Sequence, residues 1–85
     1  MKQEVPIELI LEVEENSGFD LSSVHDDHCF FDSCTTSFYI KNCNECYMFV
    51  HNKHYYPFNT IKEFNHFFHE HMYRYYDLGE RDFDI

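Results

Sequence analysis

The sequence predicts an α+β fold in which one C-terminal helix packs on a small antiparallel sheet of three to four strands. Apolar and polar residues alternate early in the chain, and apolar residues recur at helical spacing after residue 60. The length of 85 residues predicts a single domain spanning 1–85. Ten Phe and seven Tyr supply apolar side chains for a core, although so short a chain often needs an additional staple.

Residues 5–13 alternate between apolar and mostly acidic side chains, which predicts a half-buried strand. Pro6 favours an edge position for this strand, because proline cannot donate to a strand ladder. We expect residues 19–34 to be irregular and residues 35–41 to form a second strand. Residues 42–46 predict a tight knuckle. Residues 47–51 and 54–58 predict a hairpin around Asn52 and Lys53.

The C-terminal helix has a start signal and a stop signal. Thr60 and Glu63 have the spacing of a capping box, and Gly79 predicts the end of the helix. Residues 80–85 then form an acidic and loosely held tail. The apolar face of the helix consists of Ile61, Phe64, Phe68, Met72 and Tyr75. The histidines at 66, 69 and 71 diverge around the helix, so we interpret them as surface or boundary residues.

All four cysteines fall within 18 consecutive positions, as Cys29-x4-Cys34 and Cys43-x2-Cys46. Short spacings of this kind let one turn of backbone present two thiolates to a tetrahedral Zn²⁺. The chain shows no signal peptide or membrane span, so we expect a cytoplasmic protein with reduced thiols. We predict a structural Zn²⁺ bound by Cys29, Cys34, Cys43 and Cys46, with disulfides or free thiols as alternatives.

The two cysteine pairs resemble a zinc ribbon or a related zinc knuckle, although the first spacing is long and no Pro or Gly flanks the second pair. His25, His28 and His51 are substitute ligands. Four thiolates would fill the coordination sphere, which favours a structural over a catalytic metal. Without a Ser/His/Asp constellation, a Gly-rich phosphate loop or an HExxH helix, we predict that the protein is not an enzyme. A small metal-dependent hydrolase that uses His25 or His28 is the remaining catalytic possibility.

Sixteen Asp and Glu against six Lys and Arg give a formal net charge of −10. Phosphate and anionic membranes repel such a surface and basic proteins attract it. We therefore expect a basic protein partner and no direct nucleic-acid or membrane binding. The predicted partner-binding residues are Glu8, Glu12, Glu14, Asp26, Asp27, Asp82 and Asp84. A solvated face that only keeps the protein soluble is the alternative.

Small size, strong acidity, scarce glycine and missing catalytic motifs resemble the inhibitors that bacteriophages encode against host defence, and anti-CRISPR proteins directed at Cas9-type nucleases are nearest. The resemblance is compositional and transfers no functional residue. It implies a non-enzymatic inhibitor that imitates DNA, binds the basic surfaces of the nuclease and blocks guide or target DNA. The alternative is a zinc-ribbon-like accessory or regulatory module that docks on polymerase or another host protein.

Overall fold

In the computed structural model, which describes residues 3–77, two helices accompany one antiparallel sheet of five strands. The elements are α1 (Ile7–Ser17), β1 (Asp20–Val24), β2 (His28–Asp32), β3 (Ser37–Asn42), β4 (Tyr47–His51), β5 (His54–Phe58) and α2 (Ile61–Asp77). The strand order is β1-β2-β3-β4-β5, so each strand pairs with its neighbour in sequence. The α+β class is confirmed, with five strands in place of three to four and with a second helix.

The strand predicted over residues 5–13 is wrong, because most of this segment forms α1. The carbonyl of Pro6 accepts hydrogen bonds from the backbone N–H groups of residues 9 and 10 at 3.0 and 3.1 Å. Gly18 closes the helix in the left-handed conformation, with φ 78°. A proline at the start and a glycine just past the end are signals of a helix. The buried residues of the helix are Leu9, Ile10 and Val13, which have helical spacing.

The irregular structure predicted over residues 19–34 is also wrong, because β1 and β2 lie there. Phe31 pairs with Leu21 on one side and with Phe38 on the other. The knuckle predicted at 42–46 is the turn between β3 and β4. The predicted hairpin is confirmed with its bounds, and Asn52 and Lys53 form its two-residue turn with φ 53° and 67°.

The start of α2 follows the predicted capping box. Thr60 Oγ1 accepts a hydrogen bond from the backbone N–H of Glu63 at 3.2 Å, and Glu63 Oε1 accepts from the N–H groups of Thr60 and Asn59 at 3.3 and 2.7 Å. These contacts satisfy backbone donors that the first helical turn leaves free. The predicted stop at Gly79 and the predicted tail lie outside the described residues.

Both helices cover the same face of the sheet, and Phe38 in the central strand lies at the middle of the resulting core. Five phenylalanine rings surround it with centroid distances between 4.8 and 6.1 Å, from Phe19, Phe31, Phe49, Phe64 and Phe68. Two of these rings belong to α2 and two to neighbouring strands. The aromatic cluster therefore attaches helix to sheet.

We expect Phe38→Ala to lower the free energy of unfolding by about 3–5 kcal/mol, because it leaves a cavity among rings that cannot collapse into it. Tyr55→Ala is the matched control, since Tyr55 is 61% exposed on the other side of the sheet, and it should cost less than about 1 kcal/mol. Urea denaturation of both variants measures the difference. Equal losses would contradict the central position of Phe38.

Candidate functional site

The four cysteines lie at three separate places in the fold. Cys29 is buried in β2, and Cys34 is exposed in the turn between β2 and β3. Cys43 and Cys46 flank the turn between β3 and β4, where the N–H of Cys43 donates to the carbonyl of Cys46 at 2.9 Å. The six residues of β3 separate the two turns by about 17 Å. Cys34 and Cys43 are therefore at opposite ends of the sheet.

This arrangement does not assemble the predicted four-cysteine zinc site, because Zn–S bonds of about 2.3 Å require all four sulfurs within a few ångströms of one another. The substitute ligands are also dispersed: His25 and His28 lie at one end of the sheet and His51 at the other. Within residues 3–77, no three His, Cys, Asp or Glu side chains are grouped so that they could hold a metal ion. The zinc-ribbon resemblance is thus not reflected in the positions of the thiols.

The predicted acidic contact residues are partly brought together by α1. Its solvent side carries the exposed side chains of Ile7, Glu8, Leu11, Glu12 and Glu15, which we call the acidic helix face. Ile7 is 60% and Leu11 57% exposed, and they lie one turn apart beside the three carboxylates. Two aliphatic side chains bordered by carboxylates form a compact surface that combines apolar area with negative charge.

The charges of α1 only partly serve the stability of the helix: Glu8 lies in the first turn, where the helix dipole favours a carboxylate, but the last turn has the opposite preference. Its last turn holds Glu14 and Glu15 and no basic residue, although the negative end of the helix dipole disfavours carboxylates there by a few tenths of a kcal/mol each. Within the described residues, none of the three carboxylates on the acidic helix face pairs with Lys or Arg. Helix-dipole preference and ion pairs within the described residues therefore account for Glu8 but not for Glu12 and Glu15.

Glu14, which the strand prediction grouped with Glu8 and Glu12, has a structural role instead. Its Oε2 accepts a hydrogen bond from the backbone N–H of Leu21 at 2.8 Å. Leu21 belongs to the edge strand β1, and a carboxylate on its N–H occupies a group that another strand could otherwise bind. At the opposite edge, Pro57 in β5 removes a backbone donor. Each edge of the sheet thus has one backbone donor fewer for pairing with a further strand.

The other predicted acidic residues lie near the start of α1 or outside the described chain. Asn42 connects the two regions, because its backbone N–H donates to the carbonyl of Asp27 at 2.7 Å and its side chain donates to the carbonyl of Glu4 at 3.1 Å. Asp26 is exposed in the same turn as Asp27. Asp82 and Asp84 lie outside the described residues. Glu4 and Glu15 are exposed acids that the predicted set of contact residues did not contain.

A buried pair of histidines lies at the other end of the sheet. His51 is 2% and His71 4% exposed, and Nδ1 of His51 lies 2.7 Å from Nε2 of His71, so one of these nitrogens donates to the other. The remaining nitrogens contact Thr36 Oγ1 at 2.9 Å and the Tyr56 hydroxyl at 2.7 Å. The exposed positions predicted for His66 and His69 are confirmed. His71 differs because it faces the sheet.

Thr36, His51 and His71 have the order of a nucleophile, a base and an orienting group. Two observations weigh against catalysis. His51 is almost completely buried, so a substrate cannot reach its imidazole without rearrangement. Burial, and then the neighbouring imidazoles of His71 and His54, lower the pKa of His51 from 6.5 to about 4, which makes it a weak base at neutral pH. The pair is better explained as a polar contact that attaches α2 to β4.

The histidines proposed for a hydrolase, His25 and His28, stack on each other with a centroid distance of 4.8 Å. His28 Nδ1 lies 2.8 Å from Asp27 Oδ1, and His25 Nε2 lies 3.1 Å from Ser23 Oγ. The two rings contact through their faces, so these contacts form two separate pairs and no connected relay.

No helix in the described part of the chain is long and apolar enough to cross a membrane.

Comparison of the chain with protein-family models, curated proteins and solved structures finds no match in any of the three.

Cysteine variants distinguish a packed thiol from a metal ligand. We expect Cys29→Ser to lower the free energy of unfolding by about 1–3 kcal/mol, because it buries a hydroxyl among apolar groups. Burial also raises the pKa of the Cys29 thiol to about 12, so it stays protonated. Cys34→Ser should change stability by less than about 0.5 kcal/mol. Equal losses at both positions, with one zinc per chain in elemental analysis of reduced protein, would instead support the predicted zinc site.

The histidine pair predicts a loss of stability in acid. Below about pH 6.5 the unfolded chain binds a proton at residue 51, which the folded protein binds only near pH 4. The free energy of unfolding should therefore fall by up to about 3 kcal/mol as the pH drops through this window, and then level off. Urea titrations at several pH values should show a smaller fall for His51→Gln than for the exposed control His66→Gln. Parallel curves for the two variants would contradict this assignment.

Proposed function

We propose that the protein is a non-enzymatic inhibitor of a host nucleic-acid-binding defence nuclease, of the anti-CRISPR type and directed at a Cas9-type enzyme in the cytoplasm. The observation that carries the proposal is the acidic helix face, on which Ile7 and Leu11 are exposed beside Glu8, Glu12 and Glu15. In this proposal the acidic helix face binds a basic groove of the nuclease that otherwise holds guide or target nucleic acid.

The charge spacing on α1 explains why such a face needs apolar side chains as well. Glu8, Glu12 and Glu15 are separated along the helix axis by about 6 and 4.5 Å, whereas one DNA strand presents a phosphate every 3.4 Å or so. The helix therefore offers a sparser row of charge than the nucleic acid that it displaces. Ile7 and Leu11 supply buried apolar contacts, which carry most of the affinity in protein interfaces.

The net charge of −10 supports the same partner class. Long-range attraction to a basic protein accelerates association and disfavours acidic partners. The acidic turn that contains Asp26 extends the negative surface beyond α1, because Asn42 holds this turn and the segment before α1 at one end of the sheet. A basic cleft that engages α1 would thus meet further carboxylates at the edge of the contact.

The test measures DNA cleavage by a purified Cas9-type nuclease at increasing concentrations of the protein. We expect inhibition that weakens about tenfold or more in Glu8→Lys/Glu12→Lys, because this double variant places cations against a basic surface. The matched control is Glu45→Lys/Glu70→Lys, which changes the net charge equally at exposed positions outside α1. Leu11→Ser should also weaken inhibition, whereas Tyr73→Ser, which removes an equally exposed side chain from α2, should not.

Unchanged cleavage at excess protein would overturn the proposed target. If both double variants weaken inhibition equally, net charge rather than the acidic helix face accounts for the effect. The protein could instead bind polymerase or another basic host protein and not the nuclease. If Leu11→Ser then abolishes that binding, the accessory or regulatory module replaces the inhibitor as the proposed function.

A further inference from the structure

The face of the sheet opposite the helices carries a continuous row of apolar side chains. Strand pairing places Phe30, Tyr39, Val50 and Tyr55 directly beside one another across β2, β3, β4 and β5. The next row contains Met48 and Pro57. We call the surface formed by Phe30, Tyr39, Met48, Val50 and Tyr55 the open face. Tyr55 is exposed on it, Phe30, Tyr39 and Met48 are partly exposed, and Val50 is buried at 6% exposure. No helix within residues 3–77 covers it, because α1 and α2 both contact the phenylalanine core on the other side.

The open face differs in charge from the rest of this acidic molecule. Two of the four Lys and Arg within residues 3–77 belong to it, namely Lys41 in β3 and Lys53 in the turn that follows β4. Asp20 and Asp32 pair with each other at one corner. Asp32 pairs with Ser37 of β3, and Ser37 lies at the same end of the sheet as the turn between β4 and β5. Lys53, in that turn, is therefore at the same end of the sheet as Asp20 and Asp32 but at its other corner.

We propose that two copies of this chain pair through their open faces as a twofold-symmetric dimer. The strand order is symmetric about β3, so a twofold axis that runs parallel to the strands over β3 places β1 and β2 of one copy over β5 and β4 of the other. Phe30 then lies over Val50 of the second copy, and Tyr39 approaches its own counterpart. Face-to-face packing of two twisted sheets is a common way to bury such surfaces.

Charge complementarity favours this occupant over an unrelated partner. The same twofold axis places Asp20 and Asp32 of one copy over Lys53 of the second copy. The symmetry also places Lys53 of the first copy over Asp20 and Asp32 of the second. Elsewhere two molecules of net charge −10 repel each other. The open face is where apolar area and opposite charges coincide, so it is the surface on which two copies can approach.

The backbone at Lys53 provides an independent observation. Asn52 and Lys53 both have positive φ in a two-residue turn, for which Asn-Gly is the preferred sequence. A lysine in the left-handed conformation is strained relative to glycine by about 1 kcal/mol or more. In the proposed dimer the Lys53 side chain reaches Asp20 and Asp32 of the second copy, a contact that glycine at this position could not make.

The size of the open face predicts a weak dimer. The sheet is small, about 400 Å² in projection, and only Tyr55 of the five open-face residues is largely exposed, so the contact buries less surface than a standard interface. We therefore expect appreciable dimer only above about 100 μM, as in transient complexes. Both acidic helix faces lie on the far sides of the two sheets and remain exposed in this dimer.

Sedimentation velocity of the full chain from about 10 μM to about 1 mM, at an ionic strength of about 0.15 M, tests the proposal. We expect the average mass to rise towards twice that of the monomer. Lys53→Glu and Asp32→Lys should each weaken the dimer about tenfold, and the double variant should restore it because it exchanges the two charges. Lys53→Gly should stabilise the monomer to urea and still weaken the dimer.

Two controls separate the contact from net charge. Lys62→Glu changes the net charge as Lys53→Glu does, and Glu45→Lys changes it as Asp32→Lys does, but neither residue lies on the open face. Asp32→Lys is the sharper variant, because it lowers the repulsion between copies and is nevertheless expected to weaken their association. A single monomeric species at all concentrations would overturn the proposal, as would a dimer that neither single variant weakens or that the double variant fails to restore.

Discussion

The rest of the structure depends on the attachment of two helices to one face of a five-stranded sheet through stacked phenylalanine rings. Phe38 lies in the central strand, where rings from both neighbouring strands and from α2 surround it. A chain of this size has few residues that can be completely buried, and here the large aromatic side chains supply most of that buried volume. Because both helices occupy one face, no other element within residues 3–77 covers the opposite face of the sheet.

One-sided packing gives the molecule two surfaces with different physics. The acidic helix face combines carboxylates with two exposed aliphatic side chains, and it suits a basic groove. The open face combines aromatic rings with two carboxylates at one corner and one lysine at the next, which is the basis of the dimer that we propose. At each edge of the sheet one backbone donor is withdrawn from pairing with a further strand, by Glu14 at β1 and by Pro57 at β5.

The two buried histidines follow the rule that buried donors and acceptors find partners. The imidazoles of His51 and His71 are satisfied by each other, by Thr36 and by Tyr56. The same contacts give the pair the order of a catalytic triad, but burial deprives it of access to substrate. The four thiols, in contrast, do not form a connected group. They are close in sequence, but β3 separates the turn that holds Cys34 from the turn that holds Cys43 and Cys46.

Several parts of the fold could be predicted because their signals are local. The hairpin around Asn52 and Lys53 follows from the alternation of its strands and from their short connection, and the start of α2 follows from the spacing of Thr60 and Glu63. Periodicity alone could not separate helix from strand in α1. Leu9, Leu11 and Val13 fit a period of two, while Leu9, Ile10 and Val13 fit a helix, and only Pro6 and Gly18 favoured the helix.

The sequence by itself determined the fold class, the negative charge, the hairpin around Asn52 and Lys53, and the start of α2. Composition, turn residues and helix caps determine these features because they act over a few neighbouring residues. Only the tertiary structure decided that Cys34 lies far from Cys43, that His71 meets His51, and which side of the sheet is left uncovered. These distances depend on how the strands and helices are arranged in three dimensions. The spacing of residues along the sequence does not determine that arrangement.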